Sequence, residues 1–179
     1  MFFFDLKRQN STKNKCIRKL YLLKGGVSMI NEYEINASTL AIIPIDDKTS
    51  HVYEEDAEYT VNMNSNKIID YNCKFYGSSY QGRCEGTKYL TGIKSKQPII
   101  VEESRNIIFF PTSSMRKLDN IWISLNMIQK HNQNLEGSFI TFNNGKRINL
   151  PISYYSLDNQ FCRATMLKAK LYEIKNSKI

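Results

Sequence analysis

Short apolar runs separated by polar turn clusters fill most of this chain, and helical spacing takes over only near its end. Leu40-Ala41-Ile42-Ile43-Pro44-Ile45 is such a run, closed by Asp46-Asp47-Lys48, and reads as a strand and a turn. Tyr59-Thr60-Val61-Asn62-Met63 alternates and is β-rich, and Asn64-Ser65-Asn66 follows as a turn cluster. Lys67-Ile68-Ile69-Asp70 and Cys73-Lys74-Phe75-Tyr76 fit two strands or one short helix. Pro98-Ile99-Ile100-Val101 and Asn106-Ile107-Ile108-Phe109-Phe110 flank a charged turn and predict a hairpin, which Pro111 ends. Ile121-Trp122-Ile123-Ser124-Leu125 is strand-like. Ser138-Phe139-Ile140-Thr141-Phe142 and Arg147-Ile148-Asn149-Leu150 both alternate, and Asn144-Gly145 between them is a strong hairpin signal of the type I′ kind. The tip of that hairpin is expected to present Lys146 and Arg147 to solvent. Beyond Ser156, a plausible N-cap, Leu157, Phe161, Ala164, Leu167, Leu171 and Ile174 recur at three- and four-residue steps. The pattern predicts an α+β fold, mostly antiparallel β-sheet and hairpins, closed by an amphipathic C-terminal helix.

Composition supports a real core, with 41% hydrophobic and 12% aromatic residues in 179. No apolar run approaches the roughly 20 residues of a bilayer span. Met1-Phe2-Phe3-Phe4 precedes its basic residues, the reverse of a signal peptide, so a cytoplasmic protein with no membrane partner is expected.

The net charge of +8 suggests nucleic acid, but its distribution qualifies that reading. Residues 1–28 hold seven bases and one acid; residues 29–70 hold two bases and nine acids; residues 71–179 hold sixteen bases and seven acids. Glu54-Glu55-Asp56 with Glu58 reads as a solvated acidic face. The first segment invites a second explanation. The codons of Lys24-Gly25-Gly26-Val27 can spell a purine-rich ribosome-binding site just before Met29. Residues 1–28 are therefore expected to be a basic extension arising from a mis-annotated start, with 29–179 forming one domain. The rival is a basic arm that tracks DNA.

Enzymatic motifs are weak. Gly77-Ser78-Ser79-Tyr80-Gln81-Gly82-Arg83-Cys84 has P-loop glycine spacing but lacks its Lys and Ser/Thr, and reads as a turn entering a short helix. His51 and His131 lie in polar, loop-like sequence and are expected to be solvated, which leaves no base for a nucleophile. Cys16, Cys73, Cys84 and Cys162 form no C-x-x-C pair, and no metal or other cofactor is expected. Isolated packed thiols are the expectation, with a Cys73–Cys84 redox switch as the alternative. The chain does not read as an enzyme. Basic residues instead stand beside turns: Arg83, Lys94, Lys96, Arg116, Lys117, Lys146 and Arg147. With a basic helix face they could form one stripe, the footprint of a DNA-binding domain, although no helix-turn-helix, zinc-finger or basic-zipper pattern is visible.

Five blocks in order carry a resemblance. They are Cys73-Lys74-Phe75-Tyr76-Gly77-Ser78-Ser79-Tyr80-Gln81-Gly82-Arg83, Ile93-Lys94-Ser95-Lys96-Gln97-Pro98-Ile99-Ile100-Val101, Phe109-Phe110-Pro111-Thr112-Ser113-Ser114, Ile121-Trp122-Ile123-Ser124, and Thr141-Phe142-Asn143-Asn144-Gly145-Lys146 with Leu150-Pro151-Ile152-Ser153-Tyr154. Over nearly all of residues 30–172 the chain resembles the ComK family of competence transcription factors. A fainter likeness, over the last strands, is to LytTR-type DNA-binding domains. The ComK resemblance implies a sequence-specific activator of DNA-uptake genes that binds paired A/T-rich boxes in double-stranded promoter DNA. It implies minor-groove binding by homodimers that pair into tetramers, with RNA polymerase as a further partner. It assigns no residue roles; the seven basic residues above are candidates by position alone.

Family members carry a further tail with an aromatic-Met-Leu-aromatic-Pro stretch, bound by a Clp protease adaptor. This chain ends at Lys175-Asn176-Ser177-Lys178-Ile179. That departure leaves adaptor-mediated turnover open and keeps a rival in view: a shortened paralogue that modulates another activator by protein interaction.

Overall fold

The computed structural model describes residues 21–22 and 28–177. The basic extension lies largely outside the described residues. Eight strands form one sheet: β1 (Tyr21–Leu22), β2 (Ser28–Ile30), β3 (Thr39–Pro44), β4 (Ser50–Glu54), β5 (Glu58–Val61), β6 (Ile99–Glu102), β7 (Ile107–Pro111) and β8 (Trp122–Ser124). Their spatial order is β1-β2-β5-β4-β3-β8-β7-β6. Every pairing is antiparallel except β2 with β5. A second sheet holds β9 (Ile128–Asn134), β10 (Gly137–Phe142) and β11 (Arg147–Leu150) in the order β11-β10-β9. Three helices complete the α+β fold: α1 (Ser65–Phe75), α2 (Tyr80–Thr91) and α3 (Tyr154–Asn176).

The large sheet is buried on both faces, which is why its middle strands read as unbroken apolar runs. Alternate residues go to opposite cores. Ile42, Val52, Ile99, Val101, Ile107, Phe109 and Trp122 pack with Ile68, Ile69, Cys73 and Cys84 of α1 and α2. Ala41, Ile100, Ile108, Phe110 and Ile123 face the other way, against Ile140, Phe142, Ile148 and Leu150 of the small sheet and Leu157, Ala164 and Leu167 of α3. The order of layers is therefore helices, large sheet, then small sheet with α3.

Residues 65–75 form one helix, the second of the two options open in sequence, and the Asn64-Ser65-Asn66 cluster is its start rather than a free turn. The Asn64 side chain accepts from Asn66 N. Asn66 then uses its whole amide: Nδ2 donates to Met115 O and Lys117 O, and Oδ1 accepts from Asn120 Nδ2 and Trp122 Nε1. This network ties α1 to the β7–β8 loop. Asn72 does the same for residues 33–35, donating to Tyr33 O and accepting from Ile35 N. The P-loop-like segment is a turn entering a short helix, as its sequence suggested: α2 is capped by Ser79 and ended by Gly92 at φ 74°.

The β10–β11 hairpin forms, but its turn is not type I′. Positive φ occurs at Gly145 alone, Gly145 N donates to Phe142 O, and Phe142 N donates to Lys146 O. A type I turn followed by a glycine bulge satisfies these bonds and still matches strand twist. Helix α3 begins earlier than the periodicity suggested. Ser153, not Ser156, is the N-cap and accepts from Ser156 N. Strand β9 was hidden in a polar stretch, since three of its seven residues are half-buried and none is fully buried.

Candidate nucleic-acid interface

The structure disperses the seven turn-adjacent cations. Arg83, on the first turn of α2, is nearly buried; it pairs with Glu103 at 2.8 Å and donates to Tyr76 O. It pins α2 to the β6–β7 turn. Lys94 and Lys96 are exposed on the α2–β6 loop. That loop is held by α3, with Gln160 donating to Lys96 O and Arg163 to Ser95 O. Arg116 and Lys117 are exposed on the β7–β8 loop that Asn66 anchors. Lys146 is half-buried, paired with Glu58 of β5 and lying 5.0 Å from the Tyr53 ring centre. It fastens the hairpin to the large sheet instead of presenting a free charge at the tip. Glu58 sits beside β4, whereas Glu103 follows β6 at the sheet's far edge, five strand spacings or about 24 Å away. Arg83 and Lys146 are therefore pinned near opposite edges of the large sheet.

Arg147 is different. It is exposed, and its guanidinium lies 3.5 Å from the centre of the Phe139 ring. The register places it in a cross-strand row with Thr141 and Lys130. The next row on that outward face is Asn132, Phe139 and Asn149, and the next is Asn134 beside Gly137. Outer strands carry cations and amides; the middle strand carries Thr, Phe and Gly. Asn134 Nδ2 reaches Asn149 Oδ1 at 3.2 Å. Gly137 has φ 149°, and a Cβ there would sit 2.7 Å from Leu150 O. None of the three strands contains an acid. Lys130 and Asn132 escaped sequence reading because β9 looked like a loop, and Asn149, on a strand that was legible, carries no charge to single it out. The available signal was Leu135-Glu136-Gly137, a turn joining that polar run to the alternating β10.

Neither histidine is free in a loop. His51 is on β4 with Nε2 2.9 Å from Glu58 Oε2. His131 is on β9, largely buried, 2.9 Å from Asp158 and packed against Phe161 and Tyr154. The acidic stretch is also not wholly solvated: Glu54 is buried and accepts from Tyr33 Oη and Asn36 Nδ2. Burial, with Glu54 adding to it, pushes the Tyr33 hydroxyl up, so it remains a donor. Both cysteines are free and buried, and burial pushes the Cys73 thiol up to about 12 and raises that of Cys84, which disfavours the thiolate form of each. Among the described residues no three His, Cys, Asp or Glu side chains are grouped as metal ligands. No helix among them is long and apolar enough to cross a membrane.

A cleft of about 500 Å³ opens between the β3–β4 turn and the β7–β8 loop. Ile43, Ile45, Leu118 and Ile121 line it with Asp46, Asp47, Asp119 and Asn149, and the exposed Arg116 and Lys117 precede Leu118 on the same loop.

Residues 30–175 match the family model described as "ComK protein". The chain is 39% identical over 148 residues to the competence transcription factor of Bacillus subtilis (strain 168), covering 80% of this chain and 77% of that protein. No solved structure matches it.

Proposed function

This chain belongs to the ComK family, and from that premise we propose that it is a DNA-binding transcription factor acting in genetic competence. The observation that carries the reading is the match over residues 30–175. It spans both sheets apart from β1 and the first two residues of β2, and all but the last residue of α3.

In detail, the protein activates DNA-uptake genes in the cytoplasm by binding paired A/T-rich boxes, mainly through the minor groove. It binds as a homodimer that pairs on the promoter and works with RNA polymerase. A few cations suffice for this, because a narrow A-tract minor groove concentrates negative potential. Of the seven candidate contacts, Lys94, Lys96, Arg116, Lys117 and Arg147 are exposed, which leaves them available to phosphates, whereas Arg83 and Lys146 hold elements together. No catalytic step is part of this role.

The test is fluorescence anisotropy of the full chain on a duplex with two A/T boxes and on a G/C-substituted control, across a salt series. Preference for the A/T duplex that survives moderate salt supports the reading. Equal binding to both, falling steeply with salt, would reduce it to phosphate attraction. Absence of binding would transfer the role to a protein-interaction modulator of another activator.

A further inference from the structure

We propose that the outward face of the small sheet is the surface that meets DNA, with Lys130 and Arg147 on phosphates and Asn132 and Asn149 on base edges. This rests on the DNA-binding reading above and assigns it a place.

Charge and hydrogen-bond chemistry select the occupant. The two cations stand at the ends of one row, on the outer strands, with Thr141 between them. Two strand spacings put their backbones about 10 Å apart, so their side chains can straddle a groove and reach both of its walls. Neither cation has an ion-pair partner among the described residues. Arg147 is held over the Phe139 ring, which limits the freedom it would lose on binding.

The neighbouring row then presents two amides. The face offers Lys, Arg, Asn and Thr donors and its three strands hold no carboxylate; Asp46, Asp47 and Asp119 line, with Asn149, the cleft at the β11 edge. An A·T pair shows only acceptors in the minor groove, whereas G·C adds a donor there, so a face rich in donors fits the first better. Phe139, half-buried between the two asparagines, gives the centre of the face an apolar surface.

Other basic regions suit DNA less well. On α3, Lys168 bonds Asn126, Lys170 pairs with Glu173, and Lys175 bonds Glu103 O and Asn106. These ammonium groups already serve the fold, and the C-terminal end of a helix repels anions. Lys94 and Lys96, and Arg116 and Lys117, are the remaining exposed competitors, on loops rather than a sheet.

The experiment compares full-length variants on the A/T and G/C duplexes, with circular dichroism and melting as fold checks. Lys130→Gln with Arg147→Gln should weaken A/T binding about tenfold or more and flatten the salt slope by roughly two. Asn132→Ala with Asn149→Ala should cut the A/T preference about tenfold and leave the salt slope unchanged. Lys94→Gln with Lys96→Gln should stay within about twofold of the parent protein. If the Arg147 change lowers the melting temperature, Lys130→Gln alone carries the comparison. Parent-like binding by the sheet variants, with loss in the loop variant, overturns the assignment while leaving DNA binding intact. Failure of the parent protein to bind either duplex overturns the DNA-binding reading itself.

Discussion

Single polar residues do much of the positioning in this molecule. Asn66 has all its amide hydrogen-bonding capacity engaged in a buried setting, with Asn120, Trp122 and two carbonyls of the β7–β8 loop. Asn66→Ala should lower unfolding free energy by about 3 kcal/mol or more, because it strands those partners without water. Urea denaturation checks this, and a loss under about 1 kcal/mol would mean that the network is not shared as described. Glu102 is a second case. Burial alone would raise its pKa, but bonds from Ser104 Oγ and N and from Arg105 Nε and N pull it down to about 2. A carboxylate held below its usual value of 4.5 stabilises the fold fully above that pH, and the contribution fades as pH falls toward 2. Glu102→Gln should therefore lose stability at neutral pH, by roughly 3 kcal/mol at most, and converge with the parent protein near pH 2. Parallel pH–stability curves would contradict this. Neither role was legible in sequence. An asparagine in a turn cluster and a glutamate before a charged turn look like solvent-facing residues until their partners, about fifty and three positions away, are known.

At the scale of elements, the apolar runs located strands well and the polar segments poorly. Both hairpins and α3 follow from periodicity, since their buried faces are what the pattern records. Strand β9 does not, because its inward positions are filled by His131, Ser138-facing Gln133 and Ile128 rather than by a regular apolar series. Caps are subtler still. Ser153 and Ser156 stand one turn apart, and only the geometry shows that Ser153 accepts from the other's N–H. Ser153→Ala should cost about 1 kcal/mol and Ser156→Ala distinctly less; the reverse ranking in thermal melts would restore the later helix start. Gly137 is the point where β10 passes under the chain leaving β11. Its φ of 149° and the carbonyls of Leu150 and Ile152 leave no room for a methyl group. Gly137→Ala should destabilise the small sheet and, through it, DNA binding; unchanged melting and affinity would contradict that coupling.

For the whole molecule, α+β class and family could be read before any coordinates, while the arrangement of charge could not. Strand order joins β3 to β8 across the chain, and that crossover decides which turns share a face. Turn-adjacent cations that look equivalent in sequence then separate into structural pins, Arg83 and Lys146, and free groups such as Arg147. The outer face, built from three strands without an acid, emerges only when β9 is paired beside β10. The central claim is that this face reads the acceptor pattern of an A/T minor groove, and one substitution in the DNA tests it directly. Inosine·cytosine pairs lack the N2 amine of guanine, so their minor groove is like that of A·T while their major groove is like that of G·C. Affinity for a duplex whose A·T pairs are replaced by inosine·cytosine should remain within about threefold of the original. A fall to the level of the G/C control would place the readout in the major groove and contradict the account.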